Sequence, residues 1–187
     1  LYKEMIFELS QRLIDEINSQ KQIYDAEQGV LTISKETFNT VDLVDKIIGT
    51  YQNRITSQKI TISKIQDFSS VAIESDMVLL SRVLVNLIKN AVEASKENDT
   101  VWIHSKPEND SVVISVNNAA VMSDEVKMQM FQRSFSTKGK GRGLGSYSVK
   151  LFMEKFLGGS VWFTSDEKDG TTFFIKLPLI LEEGEQD

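Results

Sequence analysis

Apolar residues recur through the first 27 positions at Ile6, Leu9, Leu13, Ile17 and Ile23–Tyr24, a near-heptad spacing inside an otherwise polar stretch. The pattern predicts one long helix with a narrow apolar stripe, suited to packing against a partner helix or back onto its own domain. Gly29 breaks that helix, and residues 30–34 read as a short strand. Residues 41–57 carry the period of an amphipathic helix, with Asp42 near its start. Between 59 and 64, Ile60 and Ile62 alternate with polar residues, which predicts a half-buried strand; residues 70–75 read as another. The clearest stripe follows. At roughly 100° per residue, Leu80, Val83, Leu84, Leu87, Ile88, Ala91 and Ala94 fall on one arc of a helix.

Beyond that helix, residues 100–105 and 111–116 predict a hairpin around Pro107-Glu108-Asn109-Asp110. Ser123, with Glu125–Val126 after it, opens a short helix to about Phe131. Residues 145–157 form a helix stopped by Gly158-Gly159, and residues 160–165 pair with 171–177 across Asp166-Glu167-Lys168-Asp169-Gly170. Strands beside helices without strict β-α-β alternation indicate an α+β fold: a two-layer sandwich of a mixed β-sheet covered on one face by helices, preceded by one long helix. The expected organisation is a helical segment over residues 1–28, a domain over 29–180 and an acidic, disordered tail over 181–187.

Charge and composition narrow the function. The 187 residues carry a net charge of −6, which argues against a nucleic-acid surface. There is no cysteine, hence neither a disulfide framework nor a thiolate metal site. No signal peptide and no apolar run of membrane-spanning length is present, so the chain is expected to be cytoplasmic and not membrane-inserted, although it would suit the cytoplasmic part of a membrane-anchored protein. A start at Leu1 rather than Met reads as a piece of something longer.

Two segments carry the chemistry. On the helix within residues 80–94, Asn86, Asn90 and Glu93 share a second arc about 60° wide, stacking two carboxamides and a carboxylate. A solvated polar face would look similar, but Asn is a poor helix former, and two in mid-helix point to a task. Some fifty residues on, FSTKGKGRGLG places Gly139, Gly141, Gly143 and Gly145 at alternate positions among Lys138, Lys140 and Arg142. Glycines let backbone approach a phosphate closely, and a helix starting at Gly145 would aim free N–H groups at the same place. A flexible basic loop is the alternative for this segment taken alone. Together the two segments suit a magnesium nucleotide, since the metal takes oxygen ligands and phosphates take N–H groups and cations.

The order NLIKNAVEAS, FSTKGKGRGLG and GTTFFIKLP resembles the ATP-binding catalytic domain of sensor histidine kinases, members of the GHKL superfamily with DNA gyrase, the heat-shock chaperone ATPase and mismatch-repair ATPases. The likeness covers residues 35–180. It implies the GHKL ATPase fold, with ATP and Mg²⁺ as cofactors. Asn86 and Asn90 match the family's N box, whose later Asn holds Mg²⁺; Phe131 and Phe135 match its F box. Gly141, Gly143 and Gly145 match the second glycine box, part of the lid over the phosphates, and Thr171 matches a threonine near the adenine. The resemblance thus implies a nucleotide-facing set of Asn86, Asn90, Glu93, Asn118, Phe135, Thr137, Lys138, Gly139, Lys140, Gly141, Arg142, Gly143, Leu144, Gly145 and Thr171. Asn90 and Lys138 would be catalytic, and Asn90 the metal ligand.

One stretch departs from the family. Its first glycine box, D-x-G-x-G, supplies an Asp that accepts a hydrogen bond from the adenine amino group; here Val116-Asn117-Asn118-Ala119-Ala120-Val121-Met122 has neither the Asp nor the glycines. Asn118 aligns best with the Asp. Its oxygen can still accept that bond, without charge assistance and at roughly half the strength. The only histidine, His104, falls in a predicted strand and reads as a sheet-surface residue, so a phosphoacceptor would lie outside this chain.

By resemblance, the parent protein transfers the ATP γ-phosphoryl to a His segment of its own, works as a homodimer and serves a response regulator. Two other readings stay open: a degenerate nucleotide-sensing or scaffolding module without kinase activity, and a hydrolytic ATPase. The second needs a carboxylate where Asn86 stands. The segment 137–144 is expected to be mobile in the empty site and ordered by nucleotide.

Overall fold

The computed structural model describes residues 2–55, 59–133 and 144–180. Contacts divide the chain into two units, Leu1–Thr32 and Ile33–Asp187. The first is one helix, α1 (Tyr2–Glu27), capped by Gly29 at φ +70°. Ile6, Leu9, Leu13 and Ile17 of its predicted stripe are exposed, whereas Ile23 is buried. The strand predicted for residues 30–34 does not form. Val30 and Leu31 instead donate their amides to the Asp25 carbonyl, so the chain leaves the helix in a turn held by helix carbonyls.

The second unit contains β1 (Glu36–Asn39), α2 (Thr40–Ile55), β2 (Thr61–Lys64), β3 (Ala72–Ser75), α3 (Met77–Ala94), β4 (Thr100–Glu108), β5 (Ser111–Asn118), α4 (Asp124–Gln129), α5 (Gly145–Lys155), β6 (Ser160–Asp166) and β7 (Gly170–Pro178). A five-stranded sheet runs in the order β2-β4-β5-β7-β6. Only β2 and β4 are parallel; the other neighbours are antiparallel. β1 and β3 form a separate antiparallel ribbon. This is the mixed sheet under helices that the hydrophobic pattern predicts.

Alternation along the central strands explains the single covered face. In β5, Val112, Ile114, Val116 and Asn118 are buried, and the residues between them are partly open. In β4 the buried residues are Val101, Ile103 and Ser105, and in β7 they include Phe173, Ile175 and Leu177. α3 packs against this face through Leu80, Val83, Leu84, Leu87 and Ile88, each at most 1% exposed. Ala94, predicted to lie in the stripe, is exposed in the last turn, and Leu79 and Val92 are buried instead.

Two boundary shifts have local causes. The hairpin turn is only Asn109-Asp110, with Asn109 at φ 53°, and Pro107 lies within β4. α3 begins earlier than its stripe because Asp76 caps it. Asp76 Oδ1 accepts from the Leu79 amide at 2.8 Å, and Oδ2 accepts from the Ser34 amide at 2.8 Å.

Candidate functional site

Asn86 and Asn90 sit one turn apart on α3, both half-buried, and Glu93 is exposed a turn further on. The Asn86 amide Nδ2 donates to Ser148 Oγ of α5 at 3.1 Å. Ser148 is 1% exposed, and its hydroxyl donates to the Gly145 carbonyl at 2.8 Å. The two helices are thereby tied at their polar edge, and the carboxamide of Asn86 is oriented by a neighbour that the sequence reading missed. Its signal was present: a Ser one turn into the helix after the glycine run, where its hydroxyl reaches back to a carbonyl of the preceding turn.

α5 starts at Gly145 without a side-chain cap; Leu144 occupies the cap position. A Cβ placed on Gly145 would meet no atom of the described residues within 4 Å. First-turn N–H groups without a side-chain cap suit an anionic ligand. The remainder of the glycine-rich segment, with Phe135, Thr137, Lys138, Gly139, Lys140, Gly141, Arg142 and Gly143, lies outside the described residues, as does the 181–187 tail.

At the end of β5 the two asparagines diverge because successive strand residues face opposite sides. Asn117 points away from the helices, and its Nδ2 donates to the Asp169 carbonyl at 2.9 Å, Thr172 Oγ1 at 2.9 Å and the Thr171 carbonyl at 3.3 Å. Asn118 lies on the helix-covered side, 2% exposed, and its Nδ2 has no hydrogen-bond partner among the described residues. Asn118 is in register with Thr171, the other residue expected at the base. Thr171 is 3% exposed and donates its hydroxyl to the Ala120 carbonyl at 2.7 Å. Ser165 Oγ lies 2.8 Å from Thr171 Oγ1 and accepts from the Met122 amide at 2.9 Å. A polar chain through Ser165 and Thr171 therefore clamps the loop after β5.

That clamp explains how the loop manages without glycines. No residue from Ala119 to Met122 has positive φ. The glycine needed for close approach stands on the opposite strand: Gly170, at φ +70°, would bring a Cβ within 2.2 Å of the Asn118 carbonyl oxygen and 2.9 Å of Ala119 Cα. Further along, Phe131 adopts φ 70°, and its ring packs on Phe163 at 5.9 Å and Phe173 at 6.2 Å. Three mutually contacting rings hold a backbone conformation that a bulky residue otherwise avoids. His104 lies in β4, its Nε2 3.7 Å from Asp67 Oδ1.

The donors present fit a magnesium nucleotide. A buried amide without a partner among the described residues suits the polar edge of a base, and the Asn86 carboxamide lies against the first turn of α5, whose N–H groups suit phosphates. Among the described residues no three His, Cys, Asp or Glu side chains converge to hold a metal. A cation here would thus rely on carboxamide oxygen and on oxygens of the nucleotide itself.

Comparison with known proteins shows the family. Residues 75–181 match the family described as histidine kinase-, DNA gyrase B- and HSP90-like ATPases, and the chain belongs to that family. Sensor protein DegM of Bacillus sp. (strain B21-2) is 34% identical over 101 residues, covering 54% of this chain and 27% of that protein. Sensor protein SrrB of Staphylococcus aureus is 28% identical over 182 residues, 93% of this chain and 31% of that protein. The chain therefore spans less than a third of the length of these relatives. Among solved structures, the nucleotide-free catalytic domain of histidine kinase ThkA superposes with a TM-score of 0.71 at 28% identity, over 79% of this chain and 97% of that one. ThkA in complex with response regulator protein TrrA shares the fold with a TM-score of 0.74 at 24% identity, over 98% of this chain and 53% of that one.

Proposed function

We propose that this chain is the ATP-binding catalytic part of a sensor histidine kinase and that it presents the γ-phosphoryl of ATP to a histidine on another segment of a longer, dimeric protein. The observation that carries the reading is the Asn86–Ser148 hydrogen bond. It ties the Asn86 carboxamide of α3 to the first turn of α5, which supports reading a metal site and a phosphate site close together.

Bound Mg²⁺ would neutralise charge on the phosphates as the phosphoryl leaves. The chain's own residues position the nucleotide. Asn90 offers its side-chain oxygen to the metal, with Asn86 beside it held in orientation by Ser148. The first-turn N–H groups of α5 face the phosphates, with Lys138, Lys140 and Arg142 of the preceding segment as their cationic partners. Asn118 contacts the base, and Thr171 holds the loop that shapes its surroundings. Phosphoryl transfer asks little covalent work of the protein, so placement of this kind accounts for most of its contribution.

ThkA forms a complex with a response regulator protein. By analogy, a response regulator is the partner proposed for the phosphorylated form of the longer protein. No helix among the described residues is long and apolar enough to cross a membrane. A cytoplasmic setting with access to ATP is accordingly part of the proposal.

A titration with a fluorescent ATP analogue, with and without Mg²⁺, tests the reading. Binding should strengthen with Mg²⁺, and Asn90→Ala should abolish that increment while unfolding remains cooperative, because alanine offers the metal no oxygen. Equal Mg²⁺-dependent affinity in the variant would reduce the Asn pair to a polar helix face.

A further inference from the structure

Two adjacent asparagines at the end of β5 have opposite freedom. The Asn117 amide is pinned by three acceptors, the Asp169 and Thr171 carbonyls and Thr172 Oγ1, so its oxygen and nitrogen cannot exchange places without breaking those bonds. The Asn118 amide nitrogen is buried with the residue at 2% exposure, and no acceptor among the described residues holds it. A buried donor left without a partner is uncommon in native folds, and it calls for a ligand atom. Asn118 lies on the helix-facing side of the sheet, the side covered by α3 and its asparagines.

We infer that Asn118 reads a purine base at two points along its pairing edge, and that the site accepts 6-oxopurine nucleotides as well as adenine nucleotides. The inference rests on the nucleotide-binding reading above and adds a substrate class to it. A carboxamide has one acceptor and one donor group side by side. Toward adenine, Oδ1 accepts from the 6-amino group and Nδ2 donates to N1. Toward hypoxanthine or guanine the pattern is reversed: Nδ2 donates to O6 and Oδ1 accepts from N1–H. Half a turn about the last side-chain bond converts one arrangement into the other. Nothing bonded to Nδ2 opposes that turn, whereas the bonds of Asn117 would.

A carboxylate at this position has no donor. It can accept from the adenine amino group, but it would face the lone pairs of a 6-oxo group and repel them. Asn118 is thus a specificity-determining residue, and its effect is to relax discrimination at the 6-position. Alanines at 119 and 120 bring no further polar side chain to restore it.

Competition against a fluorescent ATP analogue in the presence of Mg²⁺ tests this with ATP and inosine triphosphate, which carries the O6 and N1–H edge without the 2-amino group of guanine. The wild-type chain should bind inosine triphosphate within about tenfold of ATP, a margin smaller than one lost bidentate contact would leave. Asn118→Asp should widen the preference for ATP by about tenfold or more. Wild-type protein that binds ATP but rejects inosine triphosphate by about a hundredfold would overturn the inference and leave the nucleotide-binding reading standing. So would an Asn118→Asp variant, folded and binding ATP, with an unchanged ratio. If that variant does not fold, the wild-type ratio decides alone. Absence of binding by either nucleotide would overturn both readings.

Discussion

Ser148 has a role out of proportion to its size. It is almost wholly buried, accepts from Asn86 and donates to the Gly145 carbonyl, so its hydroxyl joins two parts of the proposed site. Ser148→Ala removes the acceptor of a part-buried amide and a side-chain donor to that carbonyl. Loss of such a bond, with a partner left unmet, costs about 1–3 kcal/mol. Urea unfolding should show a lower midpoint at unchanged slope, and Mg²⁺-dependent nucleotide affinity should fall because Asn86 loses its orientation. Ser148→Thr keeps a hydroxyl and should recover part of the affinity even if the extra methyl lowers stability. A stability loss in Ser148→Ala without any change in Mg²⁺ dependence would make Ser148 a packing residue and detach it from the site. Asn90, one turn away, is the complementary case, where substitution should spare the fold and remove metal dependence.

At the scale of elements, α3 is the hinge of the whole arrangement, since its apolar arc covers the sheet and its polar arc carries the asparagines. Asp76 fixes where that helix begins, and therefore how both arcs are turned. Its two carboxylate oxygens each accept a backbone amide, from Leu79 inside the helix and from Ser34 ahead of β1. Asp76→Ala should cost about 1 kcal/mol for the lost cap and about 0.5–1.5 kcal/mol more for the part-buried bond to the Ser34 amide. Asp76→Asn, with one strong acceptor left, should cost less; equal losses in thermal melts would show that only one of the two bonds matters. The α3 stripe was readable from sequence because a 3.6-residue period survives without knowing what it packs against, and the alternating strands were readable for the same reason. The Asp76 cap was also present as a local signal, yet its second bond joins residues 42 apart and no local pattern predicts that. The same holds at the site. Asn86, Asn90 and Asn118 could be picked out as residue types in a pattern, whereas Ser148, Ser165 and Gly170 act through partners that only the fold brings near. The false strand at 30–34 arose because an apolar, β-branched run looks extended, while the turn there is set by helix carbonyls.

For the molecule as a whole, the distribution of burial separates the work of the two units. Apart from Ile23 and Ala26, the buried hydrophobic residues fall between Phe38 and Leu177. Their layer of strands and helices is that of a self-sufficient domain, and a unit of this size can bury enough surface to fold without help. α1 is different. Ile6 is 60% exposed, Leu13 64% and Ile17 64%, an apolar row along a helix rather than isolated surface residues. Scattered apolar residues need no explanation, but a row at helical spacing favours association with another helix. The division leads to a paired expectation. A chain beginning at Ile33 should unfold cooperatively and bind Mg²⁺–ATP as the full chain does, while remaining monomeric in sedimentation velocity. The full chain should self-associate as its concentration rises, and Leu13→Glu with Ile17→Glu should suppress that association without weakening nucleotide binding, because both changes lie outside the unit that holds the site. A truncated chain that melts without a transition would mean the second unit needs α1 for its own stability. Full-length chain that stays monomeric at every concentration would mean that the row on α1 does not join two copies.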